Sequence, residues 1–266
     1  MRLAALILLL VSVAAGAVDF SSAARAYKGG DFKTAAEEFR LLAEQGHPTA
    51  QLNLGYMYSI GEGVKQDYTK AVAWYRKAAK QGLAAAEHDL GVAYASGQGI
   101  AKDQKKAVSW FRKAATQGYP MAQFNLGIAY DEGQGVAKDP AEAIKWYRQA
   151  AEKGLAAAQL ILGFRYEEGQ GIAKDLKQAQ KWYRKAAVQG NADAQTNLGF
   201  LLVQGQGAAP EPIKAYAWFS LASAQGNQTA KANLERVKMD LTEEQLKQAE
   251  ALTAQYRRDY AGKTTH

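Results

Sequence analysis

The stretch from Ala122 to Gly154, AQFNLGIAYDEGQGVAKDPAEAIKWYRQAAEKG, decides the fold of this chain. Apolar residues recur at helical spacing on both sides of a glycine-flanked loop, and a further glycine closes the stretch. This pattern predicts one helix, a loop and a second helix. Closely related strings occur before and after it, so most of the chain is predicted to be one helical unit written several times.

Two marker positions show that the repeat is strict. A Leu-Gly pair returns every 36 residues, at Leu54-Gly55, Leu90-Gly91, Leu126-Gly127, Leu162-Gly163 and Leu198-Gly199. Tryptophan has the same period and accounts for all five tryptophans, at Trp74, Trp110, Trp146, Trp182 and Trp218. Because the five tryptophans share one structural position, we interpret them as scaffold residues.

The positions within one unit have physical assignments. Ala50, Leu54 and Tyr58 stand four apart and predict one face of a first helix. Gly55 lets two helices approach closely, and the glycines of the following Gly61-x-Gly63 loop permit positive φ angles. The predicted N-caps of the second helices are Asp67, Asp103, Asp139 and Asp175, with Asp139-Pro140-Ala141-Glu142 as the fullest capping box. The predicted closing glycines are Gly82, Gly118, Gly154, Gly190 and Gly226.

The repeat register divides the chain into four segments. Residues 1–17 are predicted to be a signal peptide, and residues 18–46 a degenerate repeat that caps the array. Residues 47–226 hold five repeats. Residues 227–266 are predicted to form C-terminal capping helices, with a capping box at Thr242–Gln245 and a frayed tail from Gly262.

The N-terminus has the organisation of a secretory signal. Met1-Arg2 precedes an apolar run from Leu3 to Val13, and Ala15-Gly16-Ala17 has the form of a cleavage site. The run is shorter than the roughly 20 apolar residues of a membrane span. We therefore expect cleavage after Ala17 and an exported protein, periplasmic or secreted, with no stable membrane insertion.

Composition excludes several kinds of chemistry. The chain has no cysteine, so it has no disulfide, no thiol nucleophile and no cysteine-based zinc site. Its formal net charge is +7, but export argues against nucleic acid as the partner. Many of the basic residues recur just after the aromatic pair of the second helix, which is typical of a solvated helix face.

No motif predicts a catalytic, metal or cofactor site. The Gly61-x-Gly63 loop follows no strand and lacks the lysine and hydroxyl of a P-loop. His47, His88 and His266 are scattered, without the spacing of metal ligands. No serine of the mature chain opens a Ser-x-x-Lys motif. We therefore predict a protein without cofactor and without enzymatic activity.

The repeat resembles a known family. Ala50-x-x-x-Leu54-Gly55, Tyr58, Gly61-x-Gly63, Asp67, Ala71 and Trp74-Tyr75-x-x-Ala78-Ala79-x-x-Gly82 closely resemble the Sel1-like repeat, a relative of the tetratricopeptide repeat, over about residues 31–237. The resemblance implies an all-α, right-handed superhelical solenoid of antiparallel helix pairs. It also implies protein–protein contacts, often in envelope regulation, secretion or signalling. The cysteine-rich members of the family include proteins that bind or hydrolyse β-lactams, but this chain lacks those cysteines.

By analogy with tetratricopeptide arrays, the first helices line a concave groove. The positions not required for packing are predicted to face it and to bind a peptide segment of an envelope protein. They form an apolar stripe of Leu52, Tyr56, His88, Val92, Phe124, Ile128, Leu160, Phe164, Thr196 and Phe200, with an acidic rim of Asp131, Glu132, Glu167 and Glu168.

Alternatives to this groove remain open at the level of sequence. Some stripe residues could instead pack against the next repeat. The chain could also be a hydrolase of β-lactam or cell-wall-type substrates, or a carbohydrate-binding scaffold in envelope polysaccharide export. No oligomeric state is predicted.

Overall fold

The structure is a computed structural model that describes residues 19–205 and 209–260. These residues form fourteen α-helices and no strand, and most consecutive helices of each compact unit pack against each other, as α3 does on α4 and α7 on α8, which confirms the predicted all-α helical-repeat fold. The predicted signal peptide at residues 1–17, part of the fifth repeat's loop and the predicted tail at residues 262–266 lie outside the described residues.

The helices follow the repeat. Two precede it, α1 (Phe20–Lys28) and α2 (Phe32–Glu44). The first helices of the five repeats are α3 (Pro48–Ile60), α5 (Ala84–Ser96), α7 (Pro120–Glu132), α9 (Ala156–Glu168) and α11 (Ala192–Gln204). The second helices are α4 (Tyr68–Lys80), α6 (Gln104–Thr116), α8 (Pro140–Glu152), α10 (Leu176–Ala187) and α12 (Pro212–Ala224). Two more follow, α13 (Gln228–Asp240) and α14 (Glu243–Tyr260).

The chain divides into two compact units. The first contains the residues up to Ala86 together with Gln98–Ile100, and the second contains Glu87–Gly97 together with the residues from Ala101 onward. In the first unit, the core contains Phe39 and Leu54 with small alanines between them. In the second unit, the core is rebuilt in each repeat from one leucine of the first helix and one aromatic residue of the second.

Aspartates begin the second helices as predicted. The side chains of Asp67, Asp103 and Asp139 each accept a hydrogen bond at 3.0 Å from the backbone N–H three residues further on. The predicted capping box at Asp139 is incomplete, because its own N–H donates to the Tyr130 carbonyl at 2.8 Å. Its predicted partner Glu142 instead pairs with Lys145 at 2.7 Å. The Tyr130 carbonyl on the first helix therefore holds the end of the loop at Asp139.

The capping box at Thr242–Gln245 is complete. The Thr242 N–H donates to the Gln245 side chain at 3.0 Å, and the Gln245 N–H donates to the Thr242 hydroxyl at 3.2 Å. This reciprocal pair begins α14.

The second loop glycine allows one repeat to rest on the preceding one. Gly135 has φ 70°, and a Cβ there would lie 2.3 Å from the carbonyl oxygen of Gln104, at the start of α6. Only glycine fits this contact without displacing the backbone. In the described part of the chain, no helix is both long and apolar enough to cross a membrane.

Candidate partner-binding surface

One position of the first helices carries exposed apolar side chains. In the second compact unit we call these residues the outer stripe, defined as Val92, Ile128, Phe164 and Phe200. Val92 and Phe164 are both 39% exposed, whereas Ile128 and Phe200 are half-buried. Tyr56 holds the same position in the first unit and is 47% exposed. These side chains are available for contact with another molecule.

The other predicted apolar residues are more deeply packed. The ring of Phe124 lies 5.7 Å from that of Tyr147 on α8. Leu160 packs on the core of the second unit and is half-buried, as is Leu52 in the first unit. These residues support the repeats as well as shaping their surface.

His88 does not lie on the exposed surface as predicted. It is only 8% exposed, and its ring lies 5.8 Å from that of Phe111 and 5.3 Å from that of Tyr119. Its Nδ1 is 2.9 Å from Asp89 Oδ1, and its Nε2 is 3.0 Å from Asn125 Nδ2. Large aromatic neighbours cover the histidine, and these two partners satisfy its nitrogens.

Thr196 is also buried, contrary to the prediction that it faces the groove. Its hydroxyl donates to the Ala192 carbonyl of its own helix at 2.8 Å. The bond satisfies the hydroxyl within α11.

The acidic rim is partly neutralised within the fold. Asp131 is ion-paired with Arg165 on the first helix of the next repeat. Burial of the Tyr147 hydroxyl raises its pKa, and the nearby charge of Asp131 raises it further. Glu167 accepts a hydrogen bond from the Tyr183 hydroxyl at 2.5 Å. Burial first, and this bond second, raise the pKa of Tyr183 well above its usual range.

The remaining two acidic residues stay on the surface. Glu132 and Glu168 are exposed, and Glu132 accepts a hydrogen bond from Gln134 of its own loop. Of the predicted rim, these two carboxylates are the ones most available to a partner.

A cavity of about 330 Å³ adjoins the outer stripe in the second unit. Val92 and Ile128 line its apolar side. Its polar side is formed by three amides from α6, α7 and the following loop, namely Gln104, Asn125 and Gln134. Asn125 also holds His88, so the buried histidine is linked to the cavity wall.

The sequence pattern did not predict a role for these three amides. A signal was present for Gln104, because the same position is Tyr68, Pro140, Leu176 and Pro212 in the other repeats. Apolar side chains beside Asn and Gln side-chain amides can bind a peptide, since these amides form hydrogen bonds with the peptide's backbone N–H and C=O groups. Within the described residues, no group of three or more histidines or carboxylates could hold a metal ion.

The fold and this surface define a class of protein, a helical-repeat binding scaffold. The family model described as Sel1 repeat matches residues 48–83, 84–119, 120–155, 156–191 and 192–227. The chain therefore belongs to the Sel1 repeat family. Sel1 repeat proteins are in general scaffolds for protein–protein interaction and are typically not enzymes.

Two solved structures are each 34% identical to this chain. A Sel1 repeat protein from Oxalobacter formigenes aligns over 89% of this chain and 99% of its own, with a TM-score of 0.78. The protective antigen c5321 of uropathogenic Escherichia coli, which displays an SLR fold, aligns over 88% of this chain with a TM-score of 0.56. This chain spans 58% of that antigen's length.

A third structure shows the fold alone. The immunity protein Pa5087 from Pseudomonas aeruginosa is 22% identical, with 79% of this chain and 82% of that chain covered and a TM-score of 0.52. The comparison with curated proteins gave no match.

Proposed function

We propose that this protein is an exported, non-catalytic scaffold that binds a peptide segment of an envelope protein through the outer stripe. The observation that carries the proposal is the repeated exposure of apolar side chains at one position of successive first helices. Val92 and Phe164 are each 39% exposed. Exposure of large apolar groups in this way marks an interaction surface.

The cavity beside Val92 and Ile128 supports a peptide as the ligand. An extended segment could place one side chain in the cavity and pair its backbone with the amides of Gln104 and Gln134. The exposed carboxylates of Glu132 and Glu168 add a preference for a basic segment. Asp131 and Glu167 contribute less, since each already has a partner within the fold.

Export is part of the same proposal and has its own test. The N-terminal pattern ending in Ala15-Gly16-Ala17 supports cleavage after Ala17. Intact-mass measurement of the native protein from a periplasmic or secreted fraction should give a chain beginning at Val18. A native protein that keeps Met1 and stays in the cytoplasmic fraction contradicts this part of the proposal.

Peptide display against the mature chain tests the binding surface. Peptides selected on the native protein should lose at least about tenfold in affinity for a Val92→Ser/Phe164→Ser variant, corresponding to about 1.4 kcal/mol. The control is Met239→Ser, because Met239 is 80% exposed but lies on α13. Circular dichroism should show no change for either variant. Selected peptides that bind the double variant and the native protein equally well contradict the proposal.

A further inference from the structure

The third repeat differs from its neighbours at two positions near the end of its second helix. Gln149 stands where three other repeats have Lys77, Lys113 and Lys185. Lys153 stands where all four other repeats have glutamine, at Gln81, Gln117, Gln189 and Gln225. Both departures fall beside Trp146, and each changes a contact that the other repeats make.

The first departure removes the lysine that would lie over a tryptophan ring. In three other repeats the lysine amino group lies over the indole ring, 3.8 Å from the ring centre at Trp74, 4.1 Å at Trp110 and 4.3 Å at Trp182. The ring of Trp218 is covered by Tyr256 and Tyr260 instead. Trp146 has an uncharged amide, Gln149, in place of the lysine.

The second departure leaves a buried carbonyl without a donor. In the other repeats the glutamine that follows the second helix donates its side-chain amide to a side-chain oxygen of the buried first-helix residue. Gln189 does so to Gln159 at 2.8 Å, and Gln225 to Gln195 at 2.9 Å. Lys153 instead donates to the Gly118 carbonyl at 2.5 Å.

Gln123 is the residue affected. It is 2% exposed, and its Nε2 donates to the Ala115 carbonyl at 3.2 Å and to Gln149 Oε1 at 3.1 Å. Its Oε1 is buried and accepts no hydrogen bond. A buried acceptor in this state destabilises the fold, and a ligand that donates to it removes that penalty.

Both features open on one cavity of about 500 Å³ between the ends of α6 and α8. Gln123, Trp146, Gln149, Glu152 and Lys153 line it, and the last three are exposed. The Trp146 N–H is also buried without an acceptor. The indole N–H groups of Trp182 and Trp218 share that condition, so it is Gln123 and the missing lysine that set the third repeat apart.

We propose that this cavity binds one pyranose unit of a neutral saccharide. A sugar hydroxyl both donates and accepts, so it satisfies Gln123 Oε1 and the Trp146 N–H together, once the long side chains of Gln149 and Lys153 rotate aside. The Trp146 indole lines the cavity and then offers an apolar face to the sugar ring. Glu152 and Lys153 cancel each other's charge and can bind further hydroxyls. The volume suits a small ligand better than an extended chain.

This site shares no residue with the outer stripe and does not depend on the proposed peptide binding. The test uses the five tryptophans of the chain as reporters, since each gives its own indole N–H signal in ¹⁵N-labelled protein. Tryptophan-to-phenylalanine variants assign the signals. Cellotriose, maltotriose, mannotriose and tri-N-acetylchitotriose are titrated separately to about 20 mM, which detects millimolar binding.

We expect at least one sugar to shift the Trp146 signal saturably and to leave those of Trp74 and Trp218 in place. The variant Gln149→Lys/Lys153→Gln restores the pattern of the other repeats, so it should fold normally and lose at least tenfold in affinity. Lys113→Gln, which removes the lysine over Trp110, is the matched control and should bind as the native protein does.

Three results would overturn the proposal. The first is no shift of the Trp146 signal with any of the four sugars. The second is unchanged sugar affinity in the Gln149→Lys/Lys153→Gln variant. The third is a Trp146 shift caused by peptides selected on the native protein but by no sugar, which would assign the cavity to a peptide.

Discussion

The ring of Tyr147 lies directly against Gly127. A Cβ on this glycine would stand 2.6 Å from the Cδ1 and Cε1 atoms of the ring, inside van der Waals contact. The same contact occurs in the other repeats, including Gly163 with Tyr183 and Gly199 with Phe219. The pair of a first-helix glycine and a second-helix aromatic residue therefore sets how closely the two helices of a repeat approach.

Gly127→Ala is expected to destabilise the protein by about 2 kcal/mol, because overpacking against the Tyr147 ring outweighs the gain of about 1 kcal/mol in helix propensity. Urea unfolding followed by circular dichroism measures the change. In a Tyr147→Leu background the same substitution should cost less, since the ring is gone. A stabilising effect of Gly127→Ala in the native background would contradict this account of the helix contact.

Glu87→Gln is expected to stabilise the protein at neutral pH by about 1 kcal/mol, the scale of one hydrogen bond. Glu87 is buried and accepts from Gln117 at 2.7 Å. The equivalent residue of every other repeat is a glutamine, whose amide can also donate. Burial raises the pKa of the Glu87 carboxyl, and Lys113 opposes this only in part.

Because the pKa of Glu87 is raised, the stability gain from Glu87→Gln depends on pH. A carboxyl whose pKa is raised in the folded state costs stability at neutral pH, and the cost disappears as pH falls through the folded value towards the ordinary value of 4.5. The gain from Glu87→Gln should therefore be full at pH 7 and small at pH 4. Exposed Glu152→Gln is the control, and an equal gain for Glu87→Gln at both pH values speaks against the buried-charge explanation.

Asp131→Ala is expected to cost about 2 kcal/mol, since it leaves Arg165 partly buried without its carboxylate. Neighbouring Glu132→Ala should change stability by less than about 0.5 kcal/mol, because Glu132 is exposed. Thermal unfolding of both variants separates the two roles. If the two substitutions have the same small effect, the Asp131–Arg165 pair does not stabilise the fold.

The sequence was sufficient to predict the helices, their aspartate caps and the glycine at which the two helices of a repeat meet, because each depends on residues within one repeat. It could not predict which surface positions are covered, because that depends on side chains from other elements. His88 has the register of an exposed residue, yet Phe111 and Tyr119 bury it. Asp131 was predicted to serve recognition, yet Arg165 pairs with it.

The proposed saccharide site is also marked in the sequence. Gln149 and Lys153 can be identified by comparing the repeats with each other in the sequence. Their consequence is visible only in the structure, where both lie beside the unpartnered carbonyl of Gln123.

Site-specific photo-crosslinking in the native organism tests the central claim most directly. A photoreactive phenylalanine analogue replaces Phe164 on the outer stripe, and in a second strain it replaces Lys181, which is exposed on α10. We predict that position 164 gives one discrete crosslinked envelope protein, mapped by mass spectrometry to a single peptide segment, and that position 181 does not. Identical crosslinking at both positions, or none at position 164, would contradict the claim that the outer stripe binds a partner.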